Sequence, residues 1–77
     1  MANNGAFHIY ERRAKGSRWQ MADKAHTPEE AKRMAHNMIS STGFFDQQAR
    51  VKNAITGKWI RNSLVTRETI EAEGGAS

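Results

Sequence analysis

Several things are missing from this 77-residue chain, and each absence closes off a class of explanation. There is no cysteine, so neither a disulfide nor a thiolate metal site is available. No apolar run approaches the roughly 20 residues that cross a bilayer, and no N-terminal segment combines the basic, apolar and small-residue regions of a signal peptide. A cytoplasmic, non-membrane protein is expected. His8, His26 and His36 share no metal-ligand spacing, so no metal is expected. No nucleophile stands beside a base, no glycine loop suits phosphate, and Asp23 and Asp46 are isolated in sequence. The chain is therefore expected to be non-enzymatic and free of cofactors. At this length it forms one domain with one modest core.

Acids are scarce too, at eight against twelve lysines and arginines. The imbalance is uneven, because residues 1–62 hold eleven of the bases and five of the acids. The body of the chain is thus more basic than its net charge of +4. Such a surface suits an acidic partner, either nucleic acid or an acidic protein, although a merely solvated charged surface has the same composition.

Among the features present, the stretch Thr27 to Gly43 is the most informative. Thr27 at the N-cap, Pro28 at the first helical position and Glu30 three residues after the cap spell a capping box. Ala31, Met34, Ala35, Met38 and Ile39 then repeat at helical spacing, while Lys32, Arg33, His36, Asn37 and Ser40 take the other side. Glu29 and Arg33 are placed for an i, i+4 ion pair. Gly43 is expected to end the helix with a positive φ, and Phe44 and Phe45 to pack back on its last turn.

The flanking segments alternate with the two-residue period of strands. Residues 6–13 put Phe7 and Ile9 on one face and His8, Tyr10 and Arg12 on the other. After a turn at Ala14–Ser17, residues 18–23 put Trp19 and Met21 on the inner face and Arg18 and Gln20 on the outer. Met21, Met34 and Met38 are expected as adaptable core fillers. Residues 47–54 set Ala49 and Val51 against Gln48, Arg50 and Lys52. Thr56-Gly57 turns the chain into Lys58–Arg61, where a one-residue slip exchanges Trp59 and Ile60; Ile60 is placed inward and Trp59 outward. Thr66 is a cap for a short helix over 66–73, with Leu64, Val65 and Ile70 as its apolar contacts.

The expected class is α+β, with ββαββ order and a four-stranded antiparallel sheet carrying the amphipathic helix on one face. Residues 1–5 read as a frayed N-terminus, 6–65 as the single domain, and 66–77 as the short helix with a disordered tail from Gly74. Exposed edge strands permit pairing across a two-fold axis, so monomer and homodimer both fit.

Two groups of residues are candidates for binding. The uncovered sheet face offers His8, Tyr10, Arg12, Arg18, Gln20, Arg50, Lys52 and Trp59. Its cations suit phosphates and its rings suit unpaired bases. The competing reading is that any antiparallel sheet has a solvated face of this kind. The hairpin turns and their flanks offer Arg13, Lys15 and Arg18 in one and Lys52, Lys58 and Arg61 in the other, expected at the same edge of the sheet. Charges at such places also block edge pairing.

The stretch EEAKRMAHNMISSTGFF followed by QARVKNAITGKWI resembles, in order and length, the helix and following hairpin of small anti-CRISPR proteins from phages and mobile elements. The resemblance implies a non-catalytic inhibitor, acting in the host-cell cytoplasm, that docks on a type I Cascade-type ribonucleoprotein and blocks target DNA engagement. It assigns no contact residue. The alternative function is direct nucleic-acid binding by the basic, aromatic-bearing sheet face.

Overall fold

In the computed structural model, which describes residues 5–75, the capping signals at Thr27 are used as the sequence predicts. The Thr27 hydroxyl accepts the Glu30 amide at 3.0 Å, and the Glu30 carboxylate reaches back to the His26 amide at 3.0 Å. Helix α1 runs Pro28–Ser41. Four strands precede and follow it: β1 Phe7–Arg12, β2 Gln20–Ala25, β3 Gln48–Asn53 and β4 Lys58–Trp59. They form one antiparallel sheet in the order β2-β1-β3-β4. The fold is α+β, with a second helix, α2, over Arg67–Gly75.

The core is thin and built from small side chains. Ala31, Ala35 and Ile39 of α1 lie against Ile9, Ala25, Ala49 and Val51 of the sheet, with Val65 beside them. Alanines at two of the three buried helix positions let α1 approach the sheet closely. Phe7, Met34, Met38, Ile60 and Ile70 close the margins. Ile60 therefore faces inward and Trp59 outward, the one of the two possible registers expected from the sequence. Leu64 is 43% exposed and leaves Val65 and Ile70 as the apolar anchors of the α2 region.

Three local expectations are corrected. Gly43 has no positive φ; the helix is closed by Thr42, whose amide donates to the Met38 carbonyl and whose hydroxyl accepts the Phe44 amide at 3.1 Å. The same hydroxyl bonds Gln47, whose amide donates to Glu11 at 2.6 Å, so the helix exit is tied to the sheet by polar groups. Phe44 and Phe45, released from that task, are 49% and 71% exposed. At the chain ends, Gly5 is buried rather than frayed, with φ +96° and space for a Cβ filled by the Lys24 side chain. Gly74 and Gly75 extend α2 rather than beginning a tail; the remainder of the expected frayed ends, residues 1–4 and 76–77, lies outside the described residues. Finally, no ion pair joins Glu29 to Arg33; His36 Nε2 instead lies 2.9 Å from Glu73 Oε1, tying α2 to α1.

Strand β4 is short because the chain leaves the sheet and then returns. Asn62 adopts φ 59°, and Val65 rejoins β3 by two hydrogen bonds with Ala49. Between them, buried Ser63 completes the ladder: its hydroxyl accepts the Val51 amide at 3.2 Å and donates to the Ile60 carbonyl at 2.7 Å. Ser63→Ala takes away a partner of the Val51 amide, in a position buried from solvent. The expected loss is about 1 kcal/mol, seen in thermal denaturation as a drop of about 4–8 °C.

Candidate nucleic-acid interface

The strand register decides which side chains share the face that α1 leaves uncovered. His8, Tyr10 and Arg12 of β1 stand opposite Lys52, Arg50 and Gln48 of β3, and Trp59 of β4 stands opposite Lys52. On the other flank Lys24 and Met21 of β2 stand opposite His8 and Tyr10. The two carboxylates of these strands, Glu11 and Asp23, pair with Ala49 and Ile9 and so belong to the helix side. Arg12, Lys24, Arg50 and Lys52 thus share a face on which no strand position is acidic.

An irregularity in β2 completes this face. Ile9 pairs with Asp23, but Tyr10 pairs with Met21, leaving Ala22 as an extra residue in a β-bulge. A bulge reverses the inside–outside phase beyond it. Counted back from buried Ala25, strict alternation would place Met21 and Trp19 against the helix, as expected from the sequence. The bulge turns them to the open face instead: Met21 is 46% exposed, and Trp19 meets Trp59 with ring centroids 5.5 Å apart. Two features of the sequence point to this outcome. Strict alternation would bury Asp23 along with Trp19 and Met21, and the alanine stripe of α1 leaves no room for an indole.

The rings form one cluster. Trp59 meets Tyr10 edge to face at 5.4 Å and Trp19 at 5.5 Å. Cations lie on the ring faces: Arg12 on Trp19 at 4.4 Å, Arg50 on Trp59 at 4.6 Å, and Lys52 on Trp59 at 4.6 Å and on Tyr10 at 4.9 Å. Arg12 is also held through its Nε, which donates to Gln48 at 2.8 Å. Among the described residues, no lysine or arginine forms an ion pair. The rings therefore fix the cations in place without neutralising them, and they keep a half-buried aromatic layer on a sheet face that would otherwise be bare.

The remaining predicted residues lie elsewhere. Gln20 pairs with Glu11 and so belongs to the helix side, and Arg18 lines a cleft there with Gln20, Phe44 and Gln47. Arg13 and Lys15 lie in the turn after Arg12, which pairs with Gln48. The other turn follows Asn53, which pairs with Phe7, and its Ala54 amide bonds the Ala6 carbonyl at 2.7 Å. The two turns are consequently at opposite ends of the sheet, not at one edge. Antiparallel pairing of β1 with β3 requires this, because each turn follows the C-terminal end of its strand. Lys58 pairs with Asn53 on the helix side, and Arg61 is exposed beyond β4. Trp19, Met21 and Lys24 are the members of the face that alternation alone did not supply.

Among the described residues, no three metal-ligating side chains converge, and no helix is long and apolar enough to cross a membrane. Comparison with protein-family models, curated proteins and solved structures finds no match to this chain.

Proposed function

We propose that the open sheet face is a non-catalytic binding surface for the sugar–phosphate backbone of nucleic acid. One observation carries this reading: Arg12, Lys24, Arg50 and Lys52 share a face without carboxylates, and three of the four are fixed on aromatic rings with their charge uncompensated. A guanidinium stacked on a ring keeps its N–H edge available for a phosphate oxygen. Ring capping also leaves little bare aromatic face for bases, so binding should depend weakly on sequence. The six residues of β1 span about 20 Å, the axial rise of about six nucleotides of a duplex, of which only the phosphates on the near side meet the face.

Fluorescence anisotropy with labelled DNA and RNA over a salt series tests the proposal. Four phosphate contacts give a log–log salt slope near −3.6 for a duplex and about −2.8 for a single strand. Arg12→Ala and Arg50→Ala are each expected to weaken binding several-fold and to lower the slope by about 0.7–0.9. No binding at low salt would dismiss the reading.

The inhibitor function implied by the anti-CRISPR resemblance draws on the same surface. In that reading the basic face docks on a protein surface of a Cascade-type ribonucleoprotein and occludes the path of the target DNA. Co-purification with such a complex, lost with Arg50→Ala, would favour it over binding of free nucleic acid.

A further inference from the structure

Beyond the end of the open face, three arginines come together around a second feature. A cleft of about 350 Å³ lies at the turn between β1 and β2, and its walls include Glu11, Arg12, Arg13, Arg18, Phe44 and Gln47. Arg12 belongs to both surfaces. It projects from the open face, where it is fixed by Trp19 and Gln48, and it also lines the cleft. Arg13 rests on the half-exposed Phe44 ring at 3.8 Å.

The carboxylate in the cleft leaves these cations unpaired. Glu11 accepts the Gln47 side-chain amide at 2.6 Å, and it makes no ion pair with Arg12, Arg13 or Arg18. Gln47 is buried and bonded in turn to the Thr42 hydroxyl, so the Glu11 carboxylate is held by neutral groups on the wall. Three arginines and one carboxylate line the cleft, a surplus of two positive charges along its walls. A phosphate monoester carries about −1.5 to −2 at neutral pH, with three acceptor oxygens for arginine forks. A carboxylate carries only one charge and two acceptor oxygens, and so matches less of that donor set.

We infer that this cleft is a binding site for a phosphate monoester, held by Arg12, Arg13 and Arg18 with Phe44 as its apolar wall. Two sources share this chemistry: the terminal phosphate of a nucleic-acid strand whose backbone lies on the open face, and a free nucleotide. The first source rests on the function proposed above, whereas the cleft itself does not. A strand leaving the open face at Arg12 would deliver its end to Arg13 and Arg18 without crossing any acidic strand position of that face.

The test uses the full chain, with inorganic phosphate, a nucleoside 5′-monophosphate, and oligonucleotides ending in phosphate or in hydroxyl. Binding is read from arginine Nε–H resonances and from anisotropy. The expected result is a saturable phosphate-induced shift of the Arg13 and Arg18 resonances. Arg13→Ala/Arg18→Ala should abolish it, and Arg50→Ala/Lys52→Ala should retain it. A phosphate-ended oligonucleotide should bind at least threefold tighter than its hydroxyl-ended counterpart, and the double variant should erase that difference. Retention of the nucleoside monophosphate shift without an end effect assigns the cleft to free nucleotides. Absence of any saturable shift with either small phosphate overturns the inference, even where hydroxyl-ended DNA binds. Conversely, failure of hydroxyl-ended DNA to bind, with the phosphate shift intact, removes the open-face function and leaves the cleft.

Discussion

Trp59→Ala is expected to weaken nucleic-acid binding by more than tenfold without removing a single charge. Arg50 and Lys52 both lie on this ring, and Trp19, which carries Arg12, packs against it. Without Trp59 the cations keep their charge but regain rotamer freedom, and each long side chain then has to be ordered again on binding. The salt slope should therefore change much less than the affinity, unlike the arginine variants, in which both fall. Trp59→Phe restores a ring face and should recover part of the loss. Stability falls as well, by about 2 kcal/mol; a fully buried tryptophan costs about 3–5 kcal/mol when truncated, and this one is only half-buried. Urea denaturation of wild type, Trp59→Ala and Trp59→Phe separates the two effects. Equal affinity in wild type and Trp59→Ala would mean that the aromatic layer is structural packing only.

Deletion of Ala22 is expected to leave both faces of β2 unchanged. Asp23 pairs with Ile9 and Met21 with Tyr10, so removing the extra residue makes these two positions consecutive and turns the bulge into a regular ladder. Ala25 then stays in the core, and Met21 and Trp19 stay on the open face. The indole contact of Trp19 with Trp59, worth about 0.5–1.5 kcal/mol, and the Arg12 contact, about 0.5–1 kcal/mol, are both kept. What changes is the local twist that a bulge adds. Near-UV circular dichroism reads the outcome, because coupled indoles give a signal that separated ones do not. A retained signal is expected, and its loss would show that the twist at Ala22, not the count of residues in β2, brings Trp19 to Trp59.

Much of the fold is legible from local signals. The capping box, the i, i+4 spacing of Ala31, Ala35 and Ile39, and the alternation of β1 and β3 each specify their element independently of the rest. The helix exit is less legible, because Gly43 is a generic stop signal while the actual cap depends on Thr42 meeting Gln47 and Glu11 across the fold. The same holds for Ser63, whose role exists only once the chain has looped back to β3. As for the candidate site, Tyr10, Arg12, Arg50 and Lys52 follow from alternation, whereas Trp59 is fixed only by its pairing with Lys52. Trp19 does not follow from alternation, since a bulge leaves no fixed residue signature and reverses every side chain beyond it. The placement of the two turns at opposite ends follows from strand order rather than from composition, so sequence spacing alone misplaced them.

The most direct test of the open face as the binding surface is a ¹⁵N NMR titration with a short hydroxyl-ended DNA duplex at low salt. The Trp19 and Trp59 indole N–H resonances and the backbone amides of residues 8–12, 19–24 and 48–52 are expected to shift together, while the exposed positions Lys32, Arg33 and Asn37 of α1 stay in place. Shifts confined to α1 and α2 with unmoved indoles would contradict the open-face reading and place the binding surface on the helical side.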